Sequence, residues 1–299
     1  MPCTQGDGQP LKWLYDVHPP PYPETMRIGL LHPGEMGAAL AGVLVAHGHE
    51  VLWVPEGRSA ESAHRAARHG LTEAPSVCAL AESCTVILSI CPPHAAEAVA
   101  GEVGPRYDGV FVDLNAIAPD TVRRIGDSLP HVVDGGIIGA PPRDGGGPHI
   151  FLSGSGAETV RELFAGASLT ASVVSQAVGA ASAVKMTYAA WTKGTAALLL
   201  AINAAAHAYG VEDALHEAWR GASSQMEEQS LSAAVAALAK GWRWTGEMRE
   251  IAATFETVGL PGGFHRAAAS VYERVERSAP PTSDPDRVLK RVVEQLFAR

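Results

Sequence analysis

A predicted strand, a glycine-containing turn and the start of a predicted helix follow one another from Ile28 to Gly37, in the segment IGLLHPGEMG. This order constrains the chain to an α/β fold, because the helix that follows a buried strand must cross back over the sheet. Gly34 and Gly37 occupy the second and third glycine positions of a G-x-G-x-x-G pattern, and His32 occupies the first. A turn of this kind surrounds a phosphate with the free amides of a helix N-terminus. The segment predicts a dinucleotide-binding turn; a plain strand-to-helix turn that binds nothing is the alternative.

Each position of the turn has its own expected role. Gly34 is expected to let a pyrophosphate approach the backbone, and Gly37 to let the helix pack tightly on the sheet. The leading position only shapes the bend, so the loss of its glycine is expected to be tolerated if the backbone at His32 keeps a negative φ, and Pro33 is expected to stiffen the turn. The predicted cofactor-binding turn comprises His32, Pro33, Gly34, Glu35, Met36 and Gly37.

Strand and helix patterns alternate up to about residue 177, which is typical of βαβ units in a Rossmann-type, doubly wound parallel sheet. The predicted strands span residues 27–31, 50–54, 85–90, 109–114, 131–136, 149–154 and 171–175. Residues 26–177 are therefore predicted to form a nucleotide-binding domain.

After residue 178 the strand pattern disappears, and Ala, Leu, Met, Glu and Arg recur at helical spacing to residue 299. This part is predicted to be an all-helical domain for substrate binding and dimerisation. Glycines predict its division into five helices, with breaks at Gly210, Gly221, Gly241 and residues 259–263. The predicted fold class is α/β followed by all-α.

Charge and composition exclude several classes of partner. The net charge is -9 and Lys and Arg form no dense stripe, so nucleic acid is not an expected partner. The four cysteines form no C-x-x-C pair and no cluster with histidine at metal spacing, so no metal site is expected. The most apolar segment, residues 194–206, is shorter than the roughly 20 residues that span a bilayer. Residues 1–25 lack a signal-peptide pattern and are predicted to be a flexible extension of a cytoplasmic protein.

The segment after the turn carries a family resemblance. Met36-Gly37 is followed by a helical stretch and then by Gly48-His49 before the second predicted strand. This spacing resembles the β-hydroxyacid dehydrogenase superfamily, which includes the 6-phosphogluconate dehydrogenases and the imine reductases. The resemblance extends along the whole chain and is close to a subgroup with the HPGEMG turn and a distinctive helical C-terminal domain. It implies an NAD(P)-dependent oxidoreductase that binds a small-molecule substrate and forms homodimers through its helical domains.

The end of the second predicted strand indicates which dinucleotide is used. Glu56 lies where an acidic residue would hold the ribose hydroxyls of NAD. Arg58-Ser59 follows at once and resembles the Asn-Arg-Thr of NADP-using relatives. A guanidinium and a hydroxyl suit a 2′-phosphate, so NADP is the predicted cofactor and NAD remains possible. A solvated surface arginine is the alternative role for Arg58.

Two further predicted strand ends are expected to face the cofactor, because ligands of open α/β sheets bind outside the carboxyl ends of the strands. Cys91, Pro92 and Pro93 match a segment that in relatives packs along the nicotinamide ribose, so Cys91 is predicted to pack rather than to act as a nucleophile. A helix that begins with proline is compatible with this role. Asn115 lies in VDLNAIAP, which resembles the Asp-x-Ser-Thr-Ile-x-Pro segment near the nicotinamide in relatives.

Lys185 is the predicted catalytic residue. In the segment VGAASAVKMTYAAWTKG, Gly179 and Lys185 match the superfamily pattern G-x-G-x-x-x-K-x-x-N, whereas Ala181 and Tyr188 replace its second glycine and its asparagine. The resemblance implies that Lys185 donates or accepts the proton that accompanies hydride transfer. Tyr188 and Thr192 share a helix face with Lys185, and Tyr188 is predicted to orient the substrate or assist the proton transfer. An ordinary exposed helix lysine is the alternative for Lys185.

The substrate region departs from that of familiar relatives. Where relatives place Ser-Gly-Gly to hold a carboxylate, this chain has Ile138-Gly139-Ala140, so a less polar substrate is expected. Arg249 stands where relatives carry a lysine that reaches cofactor or substrate. Core or interface packing is the alternative role for the aromatic residues Trp191 and Trp244, and a plain surface location is the alternative for Arg249. The predicted substrate residues are Gly136, Ile138, Trp191, Thr192, Trp244 and Arg249.

These patterns lead to one principal functional hypothesis. The chain is predicted to be an NADP-dependent oxidoreductase that transfers hydride between nicotinamide and the carbonyl or alcohol carbon of a small, relatively apolar substrate, with Lys185 as proton donor or acceptor. An imine reductase is one alternative, although imine reductases usually carry Asp or Tyr at the position of Lys185. A non-catalytic NADP-binding protein is the other.

Overall fold

The computed structural model describes residues 25–143, 146–222, 225–278 and 285–298. The chain divides into two compact units, and the boundary lies between Lys185 and Met186. Apart from Thr25, the predicted N-terminal extension lies outside the described residues. The assignment of nucleotide binding to the first part of the chain, and of substrate binding and dimerisation to the second, stays a prediction.

The first unit is built on a sheet in which eight strands are described, in the order β3-β2-β1-β4-β5-β6-β7-β8. The strands are β1 (Arg27–Leu31), β2 (Glu50–Trp53), β3 (Thr72–Glu73), β4 (Val86–Ser89), β5 (Val110–Asp113), β6 (Val132–Ile138), β7 (His149–Ser153) and β8 (Thr170–Ser175). The first six strands have the order of a dinucleotide-binding sheet, with its switch point between β1 and β4. The predicted fold class is therefore confirmed. The sequence pattern missed β3 because two residues are too few to show a period.

Helices connect these strands. They are α1 (Glu35–Ala46), α2 (Ala60–Arg68), α3 (Val77–Ser83), α4 (Ala96–Val103), α5 (Pro119–Ser128) and α6 (Ala157–Glu162). One hydrophobic cluster joins Ile28 and Leu30 of β1 to Leu40 and Leu44 of α1. A second cluster, on the other face of the sheet, joins Ile87 to the helices α3, α4 and α5. Both faces of the sheet are thus covered, which explains why its strands are apolar without alternation.

One pair of strands departs from the parallel arrangement, because β6 and β7 are antiparallel. A parallel pair needs a crossover connection of a dozen or more residues, usually a helix. The connection between Ile138 and His149 is shorter than that, so the chain returns along β7 in the opposite direction. β8 then pairs in parallel with β7 after α6 has crossed over.

Asp134 fixes the start of the long helix α7 (Ala180–Tyr209) to β6. Its carboxylate is completely buried, and Oδ2 accepts hydrogen bonds from the Gly179 amide at 2.9 Å and the Ser182 amide at 3.0 Å. Ser182 Oγ donates to Oδ1 at 2.6 Å, and Ser153 Oγ donates to Oδ2 at 2.8 Å. A carboxylate at a helix N-terminus satisfies amides that lack partners within the helix and complements its dipole.

All the regular secondary structure described in the second unit is helical. The unit contains the remainder of α7, α8 (Glu212–Ala222), α9 (Met226–Thr257), α10 (Gly263–Glu273) and α11 (Pro285–Phe297). The predicted break at Gly241 is wrong, because α9 continues through this residue. Gly241 is buried, and a Cβ placed there would lie 3.5 Å from the Tyr272 ring, so close helix packing offsets the weak helix propensity of glycine. The predicted break at Gly221 lies within one residue of the end of α8 at Ala222, and α9 begins at Met226.

Among the described residues, none of the helices combines the length and apolar character that crossing a bilayer requires.

Replacement of Asp134 by alanine is expected to lower the free energy of unfolding by at least about 3 kcal/mol, because its four hydrogen-bonded donors would lose a buried acceptor at about 1–3 kcal/mol each. Urea unfolding followed by circular dichroism measures the change. Asp127→Ala, at an exposed position of α5, serves as the control and is expected to change stability by less than about 0.5 kcal/mol. Equal effects of the two substitutions would contradict the anchoring role of Asp134.

Candidate functional site

The turn between β1 and α1 is tightly bent at His32. The φ angle of His32 is 75°, in the left-handed region, so the condition of a negative φ is not met. The chain must reverse direction within a few residues between the end of β1 and the start of α1, and a left-handed residue produces this reversal. Histidine tolerates that conformation better than most residues, but at a cost that glycine does not incur. The Gly34 amide donates to the His32 carbonyl across Pro33 at 2.8 Å and closes the bend.

The His32 side chain is half-buried beside the positive charge of Arg58. Burial, followed by the Arg58 charge, lowers the pKa of the imidazole from 6.5 to about 4. His32 is thus neutral at physiological pH. Its Nδ1 is buried and has no hydrogen-bond partner among the residues that the structure describes. The imidazole therefore provides a neutral polar group at the turn.

The two glycines of the turn have different surroundings. A Cβ at Gly34 would meet no atom within 4 Å, so the backbone there faces open space. A Cβ at Gly37 would lie 2.8 Å from the His32 carbonyl oxygen, which leaves no room for a side chain. Beyond the N-cap residue Gly34, the first amides of α1 belong to Glu35, Met36 and Gly37, and they have no acceptor within the helix. The space before Gly34 and these amides fit the pyrophosphate of a dinucleotide.

Arg58 and Ser59 lie at the start of α2, between the end of β2 and the helix. Ser59 is the N-cap of α2, and its Oγ accepts a hydrogen bond from the Ser62 amide at 3.2 Å. Arg58 is close enough to the turn for its charge to affect the pKa values of His32 and Cys91. The structure therefore brings Arg58 together with two other predicted cofactor residues.

Buried polar residues form a row across four neighbouring strands and include the carboxyl ends of β4 and β5. Ser89 of β4, Asp113 of β5, Asp134 of β6 and Ser153 of β7 are successive partners in the sheet register. All four are completely buried. Sequence reasoning assigned no role to Asp134, although an acidic residue within a β-branched run was a visible signal.

Asn115 connects two of these strand ends. Its Oδ1 accepts a hydrogen bond from the Cys91 amide at 2.6 Å, and its Nδ2 donates to Ser89 Oγ and to Asp113 Oδ2. Burial raises the pKa of Asp113 to about 7, while the hydrogen bonds from Asn115 oppose this rise. The Asn115 side chain is thus occupied in shaping the strand ends, so its proposed cofactor role is to position the backbone at Cys91.

The segment at Cys91 has a packing environment. Cys91 packs against the core cluster beside α4 and α5, and burial, followed by the charge of Asp113, raises the pKa of its thiol to about 12. Such a thiol is a poor nucleophile. Pro92 caps the short 3-10 helix Pro93–Ala95, which agrees with a helix that begins with proline.

Lys185 lies in the second turn of α7. Its Nζ donates a hydrogen bond to the Ile137 carbonyl at the end of β6, at 2.7 Å. Gly136 allows this approach, since a Cβ there would lie 2.7 Å from the Ala181 carbonyl oxygen and 2.8 Å from Lys185 Cβ. The structure therefore brings together Gly136, Lys185 and the strand end that contains Ile138, which is partly buried.

The remaining predicted residues lie in the second unit. Tyr188 and Trp191 of α7 are exposed and contact each other edge to face at 5.6 Å, and Thr192 Oγ1 donates to the Tyr188 carbonyl. Trp244 packs edge to face on Tyr272 at 5.1 Å. Arg249 is exposed and forms an ion pair with Glu273 beside an open groove between α9 and α10.

Sequence reasoning missed a mostly buried ion pair in this unit. Lys193 Nζ lies 2.5 Å from Glu247 Oε2, with both side chains mostly buried, and 5.9 Å from the centre of the Trp244 ring. The two residues are far apart in the chain, and only the packing of α7 against α9 brings them together.

Two protein families match separate parts of the chain. Residues 27–116 match the family described as NADP oxidoreductase, coenzyme F420-dependent. Residues 206–275 match a family described as a domain of unknown function, DUF1932. The first match covers β1 to β5 and includes the turn.

Similar proteins extend this comparison. An uncharacterized 28.5 kDa protein of Methanothermus fervidus, from the 7S RNA 5′ region, is 29% identical over 196 residues, which are 64% of this chain and 75% of that protein. The solved structure of the conserved protein MTH1747, which is similar to 3-hydroxyacid dehydrogenases, is 29% identical, with a TM-score of 0.64 over 91% of this chain and 100% of that chain. A reductive aminase from Aspergillus terreus in complex with NADPH and ethyl levulinate shares the fold at 17% identity, with a TM-score of 0.53 over 84% and 93% of the chains.

The chain is therefore similar to NAD(P)-dependent oxidoreductases of the superfamily that the sequence resemblance predicted.

Substitutions at the two glycines of the turn are expected to affect different properties, stability at Gly37 and dinucleotide binding at Gly34. Gly37→Ala should destabilise the protein by about 1–3 kcal/mol, because the new methyl group would overlap the His32 carbonyl. Gly34→Ala should leave stability within about 0.5 kcal/mol, since the φ of Gly34 is -68° and the space is open, but should weaken dinucleotide binding at least about tenfold. Urea unfolding and calorimetric titration with NADPH measure the two effects. Unchanged NADPH affinity in Gly34→Ala would contradict the proposed position of the pyrophosphate.

Proposed function

We propose that the protein is an NADP-dependent oxidoreductase that interconverts a carbonyl and an alcohol on a small, relatively apolar substrate. The observation that carries this proposal is the turn at the start of α1, where an open Gly34 precedes three helix-end amides. The match of residues 27–116 to an NADP oxidoreductase family supports it.

The residues of the first unit would hold the cofactor in three places. The Glu35, Met36 and Gly37 amides would bind the pyrophosphate, and Arg58 with Ser59 would bind the 2′-phosphate. The segment from Cys91 to Pro93, positioned by Asn115, would pack along the nicotinamide ribose. When bound, NADP supplies the hydride acceptor or donor.

Lys185 would move the proton. The bond from Nζ to the Ile137 carbonyl fixes the ammonium at the carboxyl end of β6, the edge of the sheet where ligands of this fold bind. In the reducing direction Lys185 would donate a proton to the carbonyl oxygen of the substrate, and in the oxidising direction it would accept the hydroxyl proton. Tyr188 and Thr192 follow on the same helix and are proposed to orient the substrate. Ile138, which cannot bind a carboxylate, favours an apolar substrate.

Reduction of an imine is the second candidate reaction, supported by the apolar Ile138 and by the shared fold of the reductive aminase. A protein that binds NADP without turnover is the third. A homodimer formed through the helical units and a cytoplasmic location are further proposals that follow from the family resemblance.

Calorimetric titration tests the cofactor assignment. The protein is expected to bind NADPH more tightly than NADH, and Arg58→Ala should weaken NADPH binding about tenfold because a charged hydrogen bond to the 2′-phosphate is lost. NADH binding should change by less than about twofold. Arg68→Ala, at an exposed position near the end of α2, is the matched control and should alter neither affinity. Failure of the protein to bind either dinucleotide would refute the proposed function.

Turnover tests the role of Lys185. Lys185→Met keeps the length of the side chain but removes the proton donor, so kcat should fall by about 10²–10⁴-fold while NADPH affinity stays within about threefold. The substrate panel contains apolar ketones and cyclic imines, assayed by NADPH absorbance. Lys240→Met, at an exposed position of α9, is the control. Undiminished turnover in Lys185→Met would contradict the assignment, and a preference for imines would favour the second candidate reaction.

A further inference from the structure

Arg65 connects α2 to the turn between β1 and α1. The residue lies in the second half of α2, and its side chain is only 19% exposed. Its Nε donates a hydrogen bond to the carbonyl oxygen of Pro33 at 3.0 Å, across 32 residues of sequence. A mostly buried arginine that is bonded to a loop carbonyl restrains the position of that loop.

The turn that Arg65 contacts adopts a costly conformation. His32 is left-handed, with φ 75°, which for a residue other than glycine costs of the order of 1 kcal/mol or more. Pro33 has no amide hydrogen, so its carbonyl is the backbone group through which this residue can be bonded. A bond to that carbonyl stabilises the bend where glycine would need no such support.

The guanidinium of Arg65 is itself fixed at its other nitrogens. Nη1 lies 2.6 Å from Glu61 Oε1, and Nη2 donates to Ser62 Oγ at 3.2 Å. Glu61 and Ser62 lie one turn earlier on α2. The planar group is therefore held by its own helix, and only Nε extends to the turn.

We propose that Arg65 is a positioning residue for dinucleotide binding, because it holds the His32-Pro33 turn in its left-handed form and so directs the first amides of α1 towards the pyrophosphate. This inference rests on the proposed function of the turn. Arg65 acts through Pro33, whereas Arg58 is proposed to bind the 2′-phosphate itself.

The two arginines have distinguishable effects on cofactor selectivity. The pyrophosphate is common to NADPH and NADH, so the loss of Arg65 weakens the binding of both. The 2′-phosphate occurs in NADPH alone, so the loss of Arg58 affects mainly that cofactor. The ratio of the two dissociation constants separates a positioning role from direct contact with the 2′-phosphate.

The first experiment is calorimetric titration of Arg65→Met with NADPH and with NADH. Both dissociation constants should rise about tenfold, and their ratio should stay within about threefold of the original value. Glu61→Gln is the matched control, since it removes the charge that pairs with Arg65 but leaves the bond to Pro33, and both dissociation constants should stay within about twofold. A rise confined to NADPH, or no rise, would overturn the proposal.

A rescue experiment separates positioning from general damage to the fold. Glycine adopts the left-handed conformation at little cost, so His32→Gly combined with Arg65→Met should restore both dissociation constants to within about threefold of the original values. If Arg65→Met does not fold, the same comparison uses Arg65→Lys, whose single nitrogen keeps one donor and should give a smaller loss that His32→Gly also removes. Absence of rescue would overturn the proposal.

A measurement without cofactor keeps this inference separate from the proposed function. The Gly34 amide donates to the His32 carbonyl within the turn, so its hydrogen exchange reports on the bend directly. Exchange followed by NMR should be at least about tenfold faster in Arg65→Met and unchanged in Glu61→Gln. Unchanged exchange in Arg65→Met would refute the role of Arg65 whether or not the protein binds a dinucleotide. If exchange is faster but the protein binds neither dinucleotide, the restraint of the turn by Arg65 stands and the proposed function is refuted.

Discussion

The buried carboxylate of Asp134 is the interaction on which the geometry of the site depends. It binds the first turn of α7 to β6 through two backbone amides and a hydroxyl. Because Lys185 lies in the next turn of this helix, the same bonds determine where its Nζ meets the Ile137 carbonyl. Gly136 makes this approach sterically possible. Burial of an isolated carboxylate would be unfavourable, but four hydrogen-bond donors and the dipole of a long helix compensate the burial of Asp134.

The turn between β1 and α1 shows how a departure from a familiar pattern can be accommodated. Histidine at the first position of the turn brings backbone strain and a buried imidazole, whose lowered pKa keeps it uncharged. Gly37 provides the space that the His32 carbonyl needs, and Arg65 bonds to the carbonyl of Pro33. The absence of glycine at position 32 is thus compatible with an open N-terminus of α1. The bent segment is supported by contacts from outside it rather than by its own flexibility.

Local patterns predicted the larger part of the fold. The alternation of apolar runs and helical stretches located seven of the described strands, and glycine spacing located the turn before α1. The φ of His32 could not be predicted, because it depends on the path between two packed elements rather than on residue type. The contact between Arg65 and Pro33 joins residues 32 positions apart, which no local period reveals. Gly241 was misinterpreted as a break because propensity alone neglects the packing of Tyr272 against α9.

The environment of Cys91 has a consequence for the chemical durability of the protein. Oxidation and alkylation proceed through the thiolate, and a thiol with a pKa near 12 is almost entirely protonated at neutral pH. Burial likewise raises the pKa of Cys84 to about 11. A sulfur atom therefore borders the carboxyl end of β4 without offering peroxides or electrophiles a reactive form. The packing that shapes this edge of the sheet also protects it from covalent damage.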